Sequence, residues 1–426
     1  MPQFDAEKNP MSEARTTTPQ SPALARVAKG DLCAGCGACA ALAPDKVAMA
    51  VAEPGFLRPI QSAPLSMQEE NGISAVCPGL SQTVEAQGRR NPVLWGPYVE
   101  VMTGHATNES IRFAGASGGG LSAVLLHLID SGAVDAVVQT TASAKLPIGN
   151  ASVITMNKKS ITAAAGSRYA PSAPLEGINA QIAAYKANGT RYAFVGKPCD
   201  AAAMRAMCTR DPEVAATFPV ILSFFCAGVP SHEGGREVLA KLGTTLNQTA
   251  KFRFRGNGWP GQATAIARDG TERSMSYHDS WGGILSRHVQ MRCKLCADGT
   301  GTAADIVCAD AWESDPDGYP LFDEAPGVSL IMARTDIGAR LVAEARTEGR
   351  IKTQVFDISG LSSIQVGQRD RRRALLARLI GRRITGKPIP EYKGLQILAA
   401  ARQNTIKRNL RNFLGTLRRT LWAKNL

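Results

Sequence analysis

Gly115-Ala-Ser-Gly-Gly-Gly120-Leu-Ser-Ala-Val-Leu-Leu-His-Leu-Ile-Asp-Ser131 is the stretch on which the fold turns. Its glycines make a tight turn, and apolar residues then recur at helical spacing from Leu121 to Ser131. Upstream, Tyr98 to Thr103 alternates like a strand; downstream, Ala133 to Gln139 is rich in β-branched residues. Strand, glycine turn, helix, strand is the order of an α/β unit. A glycine turn entering a helix also turns backbone N–H groups and the positive end of the helix dipole toward an anion. Such a turn is as often only a turn: the pattern is not G-x-G-x-x-G, and the chain contains no Walker A motif.

Working outward, the expected fold class is α/β, a two-lobed body with a small loop-rich N-terminal segment and a basic helical C-terminal tail. Residues 95–190 read as the first lobe. Residues 191–345 read as the second, opening with a short strand from Tyr192 to Val195. Residues 30–90 hold four cysteines among Pro and Gly breaks, a unit too small to fold without a staple. Residues 1–29 are polar, rich in Pro, Ser and Thr, and read as a disordered leader without the apolar run of a secretory signal. The longest apolar run, Pro219 to Pro230, is a buried strand, since a membrane span needs about 20 residues.

The 426 residues are 44% hydrophobic and 20% charged, ordinary for a globular protein. The net charge of +13 sits at one end. Residues 369–426 hold 16 Lys and Arg against Asp370 and Glu391, which leaves the body near neutral. Ten cysteines without an export signal point to metal or redox chemistry in a reducing, cytoplasmic compartment rather than to disulfides.

Cys33, Cys36 and Cys39 form C-x-x-C-x-x-C, a loop tight enough to wrap three corners of a 4Fe-4S cluster. Where a ferredoxin run continues with C-P, this chain has Ala43-Pro44, so Cys77, followed by Pro78, is assigned as the fourth ligand. The competing reading is a structural zinc knuckle, which uses C-x-x-C pairs about 12 to 20 residues apart. A second set comprises Cys199 in Gly196-Lys-Pro-Cys199, Cys226 in Phe225-Cys-Ala-Gly-Val-Pro230, and Cys293 with Cys296 as C-x-x-C. Cys199 and Cys226 each follow a strand and so sit at sheet edges. Cys208 and Cys308 have no cysteine partner in their patterns and read as structural.

Together with Ser117-Gly-Gly-Gly-Leu-Ser122, Ala165-Gly-Ser-Arg-Tyr169, Cys293-Lys-Leu-Cys296-Ala-Asp298, Ala304-Asp305-Ile306 and Asp310-Ala311-Trp312, these motifs make residues 30–350 resemble the family of coenzyme factor-420 (deazaflavin) hydrogenase/dehydrogenase beta subunits. The resemblance implies a FAD-binding α/β body, one 4Fe-4S cluster on Cys199, Cys226, Cys293 and Cys296, and another in the N-terminal segment. Ala309 stands where the family usually has glycine, and Ala43 where it has cysteine. On this reading Ser117, Gly118, Gly119 and Gly120 take the FAD pyrophosphate. Ser167, Arg168 and Tyr169, with Asn257 and Trp259 from the Arg255-to-Gly261 loop, lie beside the isoalloxazine or its substrate.

No Ser-His-Asp or zinc-hydrolase motif is present, so hydrolysis is not expected; His127 and His288 read as packing residues, and no catalytic residue is assigned. The expected function is that of a flavin-dependent iron-sulfur oxidoreductase. It would exchange electrons with ferredoxin or another one-electron carrier to reduce or oxidise an organic substrate: the deazaflavin, a tetrapyrrole, or a sugar or cell-envelope intermediate. The alternatives are an electron-transfer subunit that feeds a redox partner subunit, and a zinc-stabilised binding protein acting through its tail. Arg369 to Arg383 and Ile406 to Trp422 form basic amphipathic helices suited to an anionic surface at the inner membrane or to an acidic protein. The same helices fit equally a solvated hairpin packed on the body. Nucleic acid is not expected, because no recognised binding module accompanies the charge.

Overall fold

The computed structural model describes residues 21–311 and 324–422; Trp312 and most of the expected leader lie outside the described residues. At its centre is one eight-stranded sheet. In chain order its strands are β1 (Glu100–Ala106), β2 (Ala136–Ala142), β3 (Asn150–Thr155), β4 (Tyr192–Val195), β5 (Val220–Phe224), β6 (Ile306–Asp310), β7 (Ser329–Ala333) and β8 (Ile351–Val355). Across the sheet they run β8-β1-β7-β6-β5-β4-β2-β3. The central four, β6, β5, β4 and β2, are parallel. Antiparallel β3 closes one edge, and antiparallel pairings join β7, β1 and β8 on the other side. The β4 and β7 residues are buried throughout, as sheets covered on both faces require.

A single sheet replaces the expected two lobes. β7 pairs antiparallel with β1, so residues 329–333 lie beside residues 100–106 and the two halves of the chain share one core. One face packs Val124 and Leu128 of helix α1 (Gly120–Asp130) onto Met102, Val137, Ala193, Leu222, Ile306 and Ile331. The other packs Ala201 and Met204 of helix α2 (Pro198–Arg210) with Phe194, Ile221 and Val307, and draws Cys36, Ala38 and Ala41 of the N-terminal segment into the same cluster. A three-stranded antiparallel sheet, Thr249–Arg253, Gln262–Ala267 and Glu272–Ser276, has its own core around Phe252, Phe254 and Leu239.

Order begins before residue 30, where the leader is expected to end. Pro22–Lys29 is a helix capped by Ser21, and it buries Ala23, Leu24 and Val27 because those three residues share one face. The N-terminal segment adds a hairpin, Val47–Ala52 with Phe56–Gln61, and the helix Met67–Val76, whose Ser66/Glu69 capping box fixes its start and whose C-cap is Cys77.

The C-terminal helices form where periodicity predicts them, as α3 (Val366–Ile384) and α4 (Ile406–Trp422), yet α3 is no projecting tail. Leu375 and Leu379 are buried beside Leu32 and Leu295, and Glu391–Lys393 pairs in parallel with Ser81–Thr83. The basic C-terminal segment is thereby built into the cysteine-bearing region.

Candidate redox site

Carboxyl ends of parallel strands leave a crevice where ligands bind in open α/β sheets. Here the ends of β4, β5 and β6 supply Val195, Phe224, Cys308, Ala309 and Asp310 to a cavity of about 260 Å³, a little below the usual range for small-molecule and cofactor sites. The residues just beyond those strands, Lys197, Phe225 and Cys226, line it too. So do Ser117, Gly119 and Gly120 of the glycine turn, and Ser167, Arg168 and Tyr169. Gly118, Asn257 and Trp259 are not among the lining residues. Gly118 instead backs onto the Gly327 carbonyl with φ of 81°, and Trp259 is a buried ring against Arg255.

Gly119 is the N-cap of α1, with φ of 67° and no side chain of its own to cap the helix. Ser329 Oγ accepts from the Gly120 N–H at 3.1 Å. Leu121 and Ser122 of the first turn line the cavity, so the dipole end of α1 faces it, as a phosphate-bearing ligand requires.

Arg168 is differently engaged from what the sequence implies. Its guanidinium donates to Asn150 Oδ1 at 3.0 Å, Gly149 O at 2.8 Å and Phe252 O at 3.4 Å, and burial lowers its pKa to about 10. It braces the cavity wall. The more central guanidinium is Arg255, only 2% exposed, paired with Asp310 at 2.8 Å, bonded to Ala116 O at 3.1 Å, and held between the rings of Trp259 and Tyr277 at 4.7 Å each. Tyr169 packs 4.7 Å from Trp281 and 6.3 Å from Tyr277, which makes one wall aromatic.

Both cysteine sets come together. Cys33, Cys36, Cys39 and Cys77 line one small closed cavity. Burial raises all four thiols, and their mutual proximity adds to it: Cys77 and Cys39 act on Cys36, and Cys33 acts on both Cys39 and Cys77. The Gly35 N–H points at Cys33 Sγ from 3.3 Å. Burial likewise raises Cys199, Cys226 and Cys296, with Cys226 and Cys293 acting on Cys199, and Cys293 and Cys296 on Cys226. The Val229 N–H lies 3.4 Å from Cys293 Sγ. Among the described residues no three His, Cys, Asp or Glu side chains converge as a single ion demands. Each set offers four buried or half-buried thiols with a backbone N–H beside one sulfur, the donors that a cluster held by four thiolates would use.

The two tetrads are joined by a thin polar layer. Arg58 hydrogen-bonds Cys33 and donates to Gln290 Oε1 at 3.1 Å; Gln290 Nε2 lies 3.7 Å from Cys293 Sγ. Arg292, 2% exposed, donates to Pro78 O at 2.7 Å, lies over Tyr392, and acts electrostatically on Cys33, Cys77 and Cys296. Asp200 raises both Cys36 and Cys199. Burial opposes the Lys197 ammonium, but Asp200 at 2.7 Å holds it charged at the cavity wall. From α3, Arg371 donates to Cys226 O, Arg372 to Ala297 O and Leu395 O, and Arg378 to Lys294 O, so the arginines grip the loops that carry the cysteines.

Sequence reasoning misses Lys197, Asp310 and Tyr277 as lining residues and Gln290 and Arg292 as the inter-tetrad layer. Arg292 and Lys197 lie within two residues of assigned cysteines, the one signal available beforehand. Cys308 lines the cavity from β6 while belonging to the core, apart from either tetrad. His127 is buried against Glu348 at 3.0 Å, and His288 meets Glu237 at 2.7 Å, both in packing roles.

Comparison with known proteins places this geometry in a family. Residues 101–179 match the model of the N-terminal part of the coenzyme F420 hydrogenase/dehydrogenase beta subunit, and residues 189–358 match its C-terminal part. The coenzyme F420 hydrogenase subunit beta of Methanococcus voltae is 22% identical over 70% of this chain and 99% of its own length. One subunit of the F(420)H(2) dehydrogenase of Methanosarcina mazei is 23% identical over 78% of this chain and 87% of its own. A chain of the F420-reducing [NiFe] hydrogenase complex from Methanosarcina barkeri superposes with a TM-score of 0.50 at 19% identity, covering 67% of this chain and 96% of that one, so the fold is shared. With its glycine turn, strand-end cavity and second cysteine set inside the matched residues, the chain belongs to the family of coenzyme F420 hydrogenase/dehydrogenase beta subunits.

Proposed function

We propose that this chain is an iron-sulfur flavoprotein in which two 4Fe-4S clusters, on Cys33, Cys36, Cys39, Cys77 and on Cys199, Cys226, Cys293, Cys296, exchange electrons with FAD in the strand-end cavity. The observation that carries the reading is continuity. Cys226 lines the cavity and belongs to the second tetrad, and Asp200 and the Arg58–Gln290 contact link that tetrad to the first. A bound flavin supplies the exchange between two-electron and one-electron chemistry.

The residues present divide that work. The start of α1 would hold the pyrophosphate, and Tyr169, backed by Trp281, with Tyr277 would form an aromatic wall that excludes water from the ring. The Lys197 ammonium, paired with Asp200, would stand as a hydrogen-bond donor to the flavin at the cavity face nearest the cysteines. Arg255 and Asp310, paired in the cavity lining, hold its wall in shape. The N-terminal tetrad is the entry point for ferredoxin or a similar one-electron carrier. The relatives' names make a deazaflavin the first substrate to test. Those same names call them subunits, which favours as a second reading an electron-transfer subunit that serves a partner's active site.

Anaerobic purification, with a visible spectrum and iron, sulfide, zinc and flavin analysis on one sample, tests this reading. About eight irons and one FAD per chain are expected. Zinc without iron or flavin overturns it. Reduction of a deazaflavin by the isolated chain separates the enzyme from the electron-transfer subunit.

A further inference from the structure

Helix α4 is seated by its polar side. Thr416 and Thr420 are buried against α3, where Arg378 Nε donates to Asn412 Oδ1 at 3.0 Å, Arg382 approaches Thr420 Oγ1 at 3.5 Å, and Thr416 lies over Gly381. Its apolar side chains are the ones left outside: Ile406 is 87% exposed, Leu410 54%, Leu414 52% and Leu421 53%, with Phe413 and Leu417 partly covered. At α-helical spacing these six fall within one arc of about 100°. Lys407, Arg411 and Arg418 follow along one border of that arc, and α4 contains no Asp or Glu. Ile380 and Ile384 of the neighbouring α3 are exposed as well. A contiguous apolar stripe on a folded surface marks an interaction site.

We propose that α4 lies in the headgroup region of an anionic membrane, with its leucine stripe inserted and its basic border on lipid phosphates. Three observations choose lipid as the occupant. The stripe runs straight along the whole helix, a shape that a planar surface fits without a matching groove. The charge beside it is of one sign: Lys407, Arg411 and Arg418 are exposed along its border, and α4 has no Asp or Glu to repel an anionic surface. The first 20 residues of the chain, the longest segment outside the described residues, are mostly polar and include Asp5, Glu7 and Glu13, so they offer no apolar cover. No helix among the described residues is long and apolar enough to cross a membrane, so the contact is peripheral. The proposal stands apart from the cofactor reading.

Flotation of the full-length holoprotein with phosphatidylcholine vesicles, with and without phosphatidylglycerol, tests it. The protein is expected to float with the anionic vesicles and to remain below with the neutral ones. In Leu410→Gln/Leu414→Gln, partitioning falls about tenfold for each leucine, with iron and flavin content unchanged. In Lys407→Glu/Arg411→Glu it falls at least about fivefold for each charge. Failure of the holoprotein to float with anionic vesicles overturns the proposal, as does flotation of the double-glutamine variant at the wild-type level. Sedimentation without vesicles covers a second copy of the chain as occupant: a dimer dissolved by Leu410→Gln/Leu414→Gln assigns the stripe to it and likewise overturns lipid.

Discussion

At the scale of single residues, the tetrads make separable demands. Cys36→Ser and Cys296→Ser are each expected to remove about four irons and leave the other cluster loaded, read by iron analysis and low-temperature EPR. Arg292 acts on both sets at once because its buried charge lies between them. Positive charge favours acceptance of an electron, so Arg292→Met should lower cluster potentials by about 60 mV, a tenfold change in a one-electron equilibrium. It should also cost about 2 kcal/mol through the lost charged bond to Pro78 O. An EPR-monitored redox titration measures the first effect and denaturant unfolding the second. Unmoved potentials in the substituted protein would leave Arg292 a purely structural residue. The Cys33/Cys36/Cys39 run and the Cys293/Cys296 pair are legible because their spacing is local; Cys77 is reached only through its neighbouring proline, and Cys199 and Cys226 through the family resemblance. Arg292 and Lys197 are not legible, because their roles depend on which loops the fold brings opposite them.

At the scale of elements, the entry to α1 is the most constrained turn in the site. A Cβ at Gly119 would stand 2.5 Å from Ile111 O, at a φ of 67°. Gly119→Ala should therefore cost at least about 2 kcal/mol and release flavin. Gly132, at φ of 70° with nothing within 4 Å, should cost about 1 kcal/mol on the same substitution and keep flavin. Thermal melts and flavin fluorescence compare the two. The helix ending at Cys77 carries a pH dependence of its own. The hydrogen bond from Lys46, then those from Ser66, lower the Glu69 pKa from 4.5 to about 2. A carboxyl depressed in the folded state stabilises fully above its unfolded pKa and loses that contribution as pH falls from about 4.5 toward 2. The protection factors of residues 67–76, corrected for intrinsic exchange, should fall across that window, and Glu69→Gln should flatten the fall. Strands, the glycine turn and α1 are legible because apolar period and turn chemistry are set within a dozen residues. The loop around Arg255 does border the cavity, but through a different side chain from those the sequence suggests. Which of Arg255, Asn257 and Trp259 faces inward is decided by the Asp310 carboxylate, some 50 residues away.

At the scale of the whole molecule, the shared sheet joins what sequence divides. The order β1, β7, β6 interleaves residues from both ends of the α/β body, so neither half can close a core alone. The basic excess near the C-terminus reads in sequence as a tail because charge runs are usually solvated. Part of it serves instead as counter-charge and as donors to the cysteine-bearing loops, through Arg371, Arg372 and Arg378. A chain ending at residue 365 is therefore expected to lose iron from both tetrads, measured against the full-length protein.

The pairing of Glu391–Lys393 with Ser81–Thr83, and the grip of Arg372 on both Ala297 O and Leu395 O, also set an order of assembly. The cysteines nearest the N-terminus leave the ribosome first, but the strand and helix that close over them leave it last. Throughout synthesis of the α/β body, Cys33 to Cys77 lack the cover that residues 391–393 and α3 later give them. The clasp shuts only once α3 and the 391–393 strand are made, so the N-terminal cysteines are the first synthesised and the last enclosed.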